Sequence, residues 1–145
     1  MLENYFSIND LMFDEENEYW KCFVLNKKCF ILDKTFFDDT EYLHINVNPK
    51  YDISEHIQII NEYLKWLNSN DCKNILENYF CAEFNSACDD SEKITVEAII
   101  NNKWYELLEI YNASINVNKN GKIESSISFG DNYYEKEPIM TIEIV

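Results

Sequence analysis

The chain of 145 residues contains no arginine and only two glycines, two prolines and two histidines. Gly121 and Gly130 stand alone, whereas phosphate-binding loops of the Walker and dinucleotide types need several glycines close together. The missing arginine also removes the side chain best suited to bidentate phosphate contacts. Because so few residues break the chain, there is no candidate linker, and we expect a single domain over residues 1–145.

Long apolar runs are absent as well. No segment reaches the length of a transmembrane helix, and the first residues lack the basic region and apolar run of a signal peptide. The cysteines are odd in number and show no paired CxxC spacing, so disulfides are the less favoured interpretation. We therefore expect a cytoplasmic protein without membrane contact, in which reduced cysteines act as small core residues. The five cysteines are Cys22, Cys29, Cys72, Cys81 and Cys88.

Negative charge is what the chain has in excess. Twenty-seven aspartates and glutamates against twelve lysines give a formal net charge of −15. The acids are spread through both halves, so they describe a folded surface and not an acidic tail. Such a surface repels nucleic acid and anionic membranes, and it speeds the encounter with a basic partner. The simpler alternative is that the charge serves solubility alone.

Hydrophobic patterning predicts an α+β domain, in which strands from both ends of the chain form an antiparallel sheet packed against a central layer of about three helices. Two aromatic and β-branched runs, at 20–25 and 28–33, predict a hairpin with its turn at 26–27. Residues 42–48 alternate apolar and polar side chains, which predicts a half-buried strand that Pro49 ends.

The middle of the chain is predicted to be helical because apolar residues recur every three or four positions. The first helix is expected after Asp52, which with Glu55 resembles a capping box, and the second is expected after Asp71. A third is expected from about Thr95, and the segment after Trp104 can turn into strand. The predicted core faces are Ile53, Ile57, Ile60, Leu64 and Leu67 in the first helix, and Cys72, Leu76, Phe80 and Phe84 in the second.

The C-terminal part returns to strands, and the alternation of side chains predicts the register of a hairpin. A two-residue loop would place Val117 opposite Glu124. A three-residue loop over 119–121 places Val117 opposite Ile123 instead. We expect the second pairing, because a slip by one residue would expose a whole apolar face. The glycine of this loop then supplies the positive φ that the turn requires.

Candidate catalytic groups are few. His44 and His56 fall off the predicted apolar faces, so surface positions are favoured over a catalytic pair with a cysteine. Three acidic clusters, at 14–16, 38–41 (DDTE) and 89–92 (DDSE), offer carboxylates that suit calcium or magnesium, but none has the spacing of a calcium loop. Turns in which the tetrads bind backbone amides are the favoured interpretation. We expect no metal or cofactor, and a carboxylate-rich, metal-dependent hydrolase is an alternative function.

Aromatic residues are abundant, and several fall where the predicted core does not need them. Tyrosine and tryptophan among carboxylates can anchor a basic protein partner, because the rings provide contact energy and the acids speed association. The same rings can instead widen the core, and we favour partner contact for the pair at 133–134. The candidate partner-binding residues are Tyr42, Tyr63, Trp66, Asp131, Tyr133, Tyr134, Glu135 and Glu137.

The C-terminal third resembles small bacterial domains linked to immunity proteins of polymorphic or contact-dependent toxin systems. The resemblance rests on an order of elements: Trp104, the strand YNASINV, the turn KNG, the strand KIESSISF, the segment DNYY and the closing strand IMTIEIV. It departs from the group at 136–138, where Lys-Glu-Pro replaces the Gly-His that often introduces the closing strand, so no role of that histidine carries over. The resemblance implies a cytosolic non-enzyme that binds and blocks one cognate toxin, and the acidity favours a basic nuclease. A structural or adaptor subunit is a further alternative.

Overall fold

A computed structural model describes residues 5–15, 19–38, 40–85, 103–131 and 139–144. They form a mixed α+β fold with one six-stranded sheet and helices against one of its faces. Short 3-10 helices cover Ile8–Asp10 and Ile53–Glu55. The strands are β1 (Leu11–Asp14), β2 (Lys21–Leu25), β3 (His44–Val47), β4 (Leu108–Val117), β5 (Ile123–Asp131) and β6 (Ile139–Glu143), and the helices are α1 (Ile57–Trp66) and α2 (Asn70–Asn85).

The six strands lie in the sheet in their order along the chain, β1-β2-β3-β4-β5-β6. All neighbours are antiparallel except β3 and β4, which run parallel with Ile45 opposite Ile115. The prediction of an antiparallel sheet is therefore wrong at this pair. The chain between Val47 and Leu108 contains α1 and α2. This long connection returns the chain to the end where β3 began, whereas antiparallel neighbours need only a short turn.

The apolar run at 28–33 is not a strand, so the predicted N-terminal hairpin is wrong. Leu32 and Asp33 have φ angles of 53° and 60°, and Ile31 forms an isolated bridge with Lys34, so the chain reverses direction there. Ile31 and Leu32 are buried in the main core. The run is apolar because it is a buried loop. β2 pairs instead with β3 and with β1, a strand that the sequence pattern does not predict.

The first two helices lie where the apolar spacing predicts them. Their core faces are buried as expected, apart from a half-buried Ile57. Residues 103–107 are also helical and lead directly into β4. The expected start of this third helix at Thr95 and the side chain of Phe84 lie outside the described residues. No helix in the described part of the chain has the length and apolar content needed to cross a membrane.

The helix caps differ in detail from the predicted ones. The Asp52 carboxylate accepts the Ser54 N–H at 3.0 Å and caps the 3-10 helix that precedes α1. At α2 the Ser69 hydroxyl accepts the Cys72 N–H at 3.2 Å, so Ser69 takes the capping role predicted for Asp71. The helix therefore begins at Asn70, and its cap is a hydroxyl.

The two strand features predicted from alternation are confirmed. The residues at 42–48 contain β3, and their apolar side chains are buried while their polar ones are not. In the C-terminal hairpin Val117 lies opposite Ile123, as the three-residue loop requires. Gly121 has a φ of +78°, and a Cβ there would lie 3.1 Å from the Tyr51 hydroxyl oxygen. Both the left-handed backbone and the close ring explain why glycine occupies this position.

Cross-strand pairing sorts the side chains of the sheet onto two faces. Ile45, Ile115, Ser125 and Ile142 are successive neighbours across β3, β4, β5 and β6, so they share one face. The helices cover this inner face, and Phe80 of α2 lies 6.1 Å from the Phe129 ring of β5. The opposite, outer face of β3 to β6 is mostly polar, with asparagine, serine, threonine, glutamate and histidine side chains, but it also carries the exposed Ile139 of β6. The core therefore lies between one sheet face and the helices.

Candidate protein-binding surfaces

A groove runs between α1 and the edge strand β6. It has a volume of about 350 Å³. The rings of Tyr63 and Trp66 stack beside it, with centroids 5.7 Å apart. Two strand residues, Ile142 and Ile144, supply apolar surface on the other side. The groove is lined by Ile59, Glu62, Tyr63, Trp66, Ile142, Glu143 and Ile144.

Tyr63 is a core residue, which corrects its predicted place on an exposed surface. Its side chain is only 5% exposed. Burial raises the pKa of its phenol well above the usual range. The Tyr63 and Ser125 hydroxyls lie close enough to influence each other, but their geometry is not that of a hydrogen bond, and no other described residue bonds either of them. Trp66 is half-buried and packs against the core, so it remains available at the groove.

Along the same groove, the backbone of β6 has hydrogen-bonding groups for which the described residues supply no strand partner. Ile144 donates its N–H to the Ile123 carbonyl at 2.8 Å, which makes that residue pair hydrogen-bonded. Hydrogen-bonded and non-hydrogen-bonded pairs alternate in an antiparallel ladder, so Thr141 and Glu143 direct their N–H and C=O groups away from β5. The carbonyl of Ile139 also points outward and accepts the Tyr79 hydroxyl at 3.1 Å.

Negative charge surrounds this edge. Glu143 lies directly opposite Glu124 on β5, a pairing of like charges that disfavours the strand pair. Glu62 of α1 lies at the groove. The two ion pairs within the described ranges are Lys27 with Asp10 and His44 with Glu41, so neither involves these three glutamates. Lys122 precedes β5, two residues before Glu124, and it belongs to neither of those pairs.

The opposite edge of the sheet carries exposed apolar side chains. The described part of the chain has ten large exposed apolar residues, and five of them belong to β1 or flank it, with exposures from 48% to 70%. Phe13 contacts Phe23 of β2 edge to face at 5.4 Å but leaves most of its surface in solvent. We call this set the β1 patch: Tyr5, Ile8, Met12, Phe13 and Tyr19.

Acidic residues accompany the β1 patch in the sequence. The first twenty residues contain six acids and no lysine or histidine. One described cation contacts this segment: the Lys27 ammonium lies 3.4 Å from an Asp10 carboxylate oxygen and 4.1 Å from the centre of the Tyr5 ring. Hydrogen bonds from Ser7 and the proximity of Lys27 lower the pKa of Asp10. The six acids are Glu3, Asp10, Asp14, Glu15, Glu16 and Glu18.

Sequence reasoning missed the β1 patch because β1 spans only four residues and neither of its faces is buried. Without one buried face, the strand has no alternation of apolar and polar side chains. The available signal was the density of apolar residues inside an acidic segment. In the sequence alone, this segment stands out only for its carboxylates at 14–16.

The remaining predicted partner residues are not all brought together. Tyr42 is 39% exposed and precedes β3, three strands from β6 in the sheet. The backbone of Asp131 is the last residue of β5. The side chain of Asp131 and all of Tyr133, Tyr134, Glu135 and Glu137 lie outside the described residues. Their predicted role in partner contact is therefore untested, although segment 132–138 connects β5 to β6.

A second depression lies beside the loop at 30–37 and measures about 530 Å³. Phe37 is 66% exposed and meets Tyr111 edge to face at 5.7 Å. Acidic and basic side chains, including Glu109 and Lys34, line it together. Because the charges are of both signs, this depression has no clear preference for a charged partner.

The candidate catalytic and metal residues have structural roles where they are described. The Asp38 carboxylate accepts both the N–H of Thr40, at 2.9 Å, and its hydroxyl, at 2.6 Å, which makes the first tetrad a side-chain-stabilised turn. The second tetrad, at 89–92, lies outside the described residues. In the described ranges no three histidine, cysteine or acidic side chains converge as a metal site would need. Burial raises the pKa of the Cys29 and Cys72 thiols to about 12, which makes poor nucleophiles of them.

Among the described residues the sheet thus has two unpaired edges, β6 beside an apolar groove and β1 with exposed apolar side chains. Comparison with models of known protein families, with curated proteins and with solved structures found no significant match to this chain.

Proposed function

We propose that this protein is a non-enzymatic, acidic, cytoplasmic binding protein that neutralises a cognate basic toxin. The observation that carries the proposal is the β1 patch. Half of the exposed large apolar residues in the described ranges lie in or beside one edge strand, and the surrounding segment has six acids and no base. Met12 and Phe13 are consecutive in the strand and point to opposite sides, so exposed apolar surface reaches solvent on both sides of this edge. Exposed apolar surface concentrated along one element marks an interaction site.

The apolar side chains and the carboxylates of the β1 patch contribute differently to binding. The aromatic and methionine side chains provide buried contact area, which dominates affinity at protein interfaces. The carboxylates raise the association rate for a basic partner and reject acidic ones. A patch with both properties favours a basic protein as its partner over a nucleic acid or a small molecule.

A nuclease toxin is the partner that this chemistry fits best. A protein with a net charge of −15 is attracted to the basic groove in which a nuclease holds phosphates. By occupying that groove it would exclude the nucleic acid substrate without any chemical step. The resemblance of the C-terminal third to bacterial immunity domains also supports a toxin as the partner.

The test is binding to, and inhibition of, the basic protein encoded beside this gene. Phe13 has about 60% of its surface exposed, and an aromatic side chain offers roughly 200 Å² in all. Burying about 120 Å² at ~25 cal/mol per Å² is worth about 3 kcal/mol. We therefore expect Phe13→Ser to weaken binding at least tenfold, while the fold loses only the ~0.5–1.5 kcal/mol of the edge-to-face contact with Phe23.

The control is Ile75→Ser, which removes another exposed apolar side chain, 46% exposed against 60% for Phe13, from α2 and not from β1. This control should bind as the unaltered protein does. Association measured from low to high salt should slow steeply for both proteins, because screening removes the attraction between the charged surfaces. Association that ignores salt, or equal losses from the two variants, would contradict the assignment to the β1 patch.

A structural or adaptor subunit would bind its partner through the same β1 patch, and it differs from an immunity protein only in its effect on the partner's activity. An adaptor would bind its neighbour without lowering its activity, whereas an immunity protein abolishes that activity at equal concentrations. No observation within the described residues favours the metal-dependent hydrolase. Thermal melts with calcium, magnesium and manganese test it directly, since a bound ion would raise the melting temperature.

A further inference from the structure

We infer that the β6 edge and the groove beside α1 form a second binding site, which accepts an extended segment of a partner protein as a seventh strand. The segment has alternating apolar and basic side chains. This edge lies five strand spacings from β1, about 24 Å away. The inference therefore does not rest on the proposed function of the β1 patch.

The backbone of β6 has the groups that strand addition needs. Thr141 and Glu143 direct their N–H and C=O groups away from β5, and both residues are exposed. Main-chain hydrogen bonds to such an edge provide affinity, and pockets for alternate side chains provide specificity. Addition would begin beyond Ile139, because its outward carbonyl already accepts the Tyr79 hydroxyl.

The groove fixes the character of the inward side chains. An added strand next to β6 would extend the inner face of the sheet beneath α1. Alternate side chains of the segment would then enter the groove and contact Ile59, Trp66 and Ile142. These lining groups are apolar, so aliphatic side chains fit there.

The outward side chains of the segment meet negative charge. Glu143 and Glu124 are direct neighbours on the outer face, and a segment residue opposite Glu143 would extend the same row. A lysine or arginine there replaces a like-charge contact with an opposite-charge cross-strand pair. Glu62 adds a third carboxylate at the groove. The row thus selects a basic segment and rejects an acidic one.

A second copy of this chain is the less suitable occupant. Two chains with a net charge of −15 each repel one another, and pairing β6 with β6 would bring more glutamates to the same edge. A basic partner, in contrast, is attracted by the same negative charges that repel a second copy.

The experiment uses the full chain and a short acetylated peptide of alternating lysine and valine. Its control peptide has glutamate in place of lysine. We expect the lysine peptide to bind at least tenfold more tightly than the glutamate peptide. In amide hydrogen exchange, Thr141 and Glu143 should exchange quickly in the free protein and become protected with the lysine peptide. Ile142, already bonded to β5, should be protected in both states.

Substitutions distinguish the contribution of the β6 backbone hydrogen bonds from that of the carboxylates. Thr141→Pro removes an outward N–H without breaking a bond to β5, so it should abolish peptide binding, whereas Thr141→Val should bind normally. Combining Glu62→Lys with Glu143→Lys should reverse the preference between the two peptides. Thermal melts of each variant identify any that fails to fold, and the exchange pattern of the unaltered protein still decides the case.

Three results would overturn the inference. The first is equal binding of both peptides. The second is protection of the Thr141 and Glu143 amides in the free monomer, since the edge would then already be paired. The third is a dimer, seen by sedimentation, that Thr141→Pro dissociates, since the occupant would then be a second copy. None of these results bears on the β1 patch, which Phe13→Ser tests separately.

Discussion

Replacing Tyr63 with phenylalanine tests whether its side chain acts only through its ring. The ring is buried and stacks on Trp66, while its hydroxyl has no hydrogen-bond partner among the described residues. Burying an unpaired hydroxyl costs about 1–3 kcal/mol. Tyr63→Phe removes that cost and keeps the packing, so we expect it to be as stable as the unaltered protein or up to ~1 kcal/mol more stable. Tyr63→Ala, which leaves a cavity, should lose about 3–5 kcal/mol.

Urea and thermal unfolding measure these differences. For a domain of this size, 1 kcal/mol corresponds to a shift of about 3 °C in melting temperature. Ser125→Ala completes a double-mutant cycle with Tyr63→Phe, and the coupling energy should be near zero because the two hydroxyls are not hydrogen-bonded. A loss above ~1 kcal/mol in Tyr63→Phe, with a coupling of similar size, would show that the hydroxyls do form a bond and would refute the reasoning.

Three further predictions concern other parts of the fold. Gly121→Ala should lose about 1–2 kcal/mol in urea unfolding, because its φ is +78° and its Cβ would crowd Tyr51, whereas Gly121→Asn should lose less. Among the described thiols, Cys81 should react first with iodoacetamide at pH 8, and Cys29 and Cys72, with pKa values of about 12, should react only on unfolding, as peptide mass spectrometry can show. Asp52→Ala should lower stability at pH 7, because the carboxylate accepts the Ser54 N–H. That bond also lowers the pKa of Asp52 below 3.8. The stability that the carboxylate contributes is therefore complete above pH 3.8 and is lost as the pH falls through the lowered pKa. A difference in stability between the two proteins that persists below that pKa would contradict this.

Side-chain alternation and helical spacing were reliable wherever one face of an element is buried. The pattern at 42–48 gave β3, and the parity of apolar residues gave the pairing of Val117 with Ile123. In both cases a shift by one residue would expose apolar side chains, so a single arrangement is favoured. The same logic placed the inner faces of α1 and α2.

The errors occurred where an element has no buried face or is buried on all sides. The run at 28–33 is apolar like a strand, yet the left-handed Leu32 and Asp33 turn it into a buried loop. β1 was missed because both of its faces reach solvent. The parallel pairing of β3 with β4 depends on where the helices return the chain, and short-range patterns carry no information on that.

The candidate sites were only partly predictable for a related reason. Trp66 was identified because it lies beside the apolar stripe of α1, and it does line the groove. Tyr63 has the same position in the pattern, but it points inward toward Ser125. Helical spacing cannot separate two residues at the margin of a stripe, because their burial depends on which strand lies opposite.

Both proposed binding sites lie at the two edges of the sheet that the described residues leave unpaired. Unpaired edge strands invite pairing with other chains, and proteins limit this with short edges and charged side chains. Here β1 and β6 are four and five residues long, and each ends in or beside a carboxylate, Asp14 or Glu143. Because these charges are all negative, they repel a second copy but attract a basic chain. In both proposals, therefore, the same carboxylates would oppose pairing with a second copy and favour a basic partner.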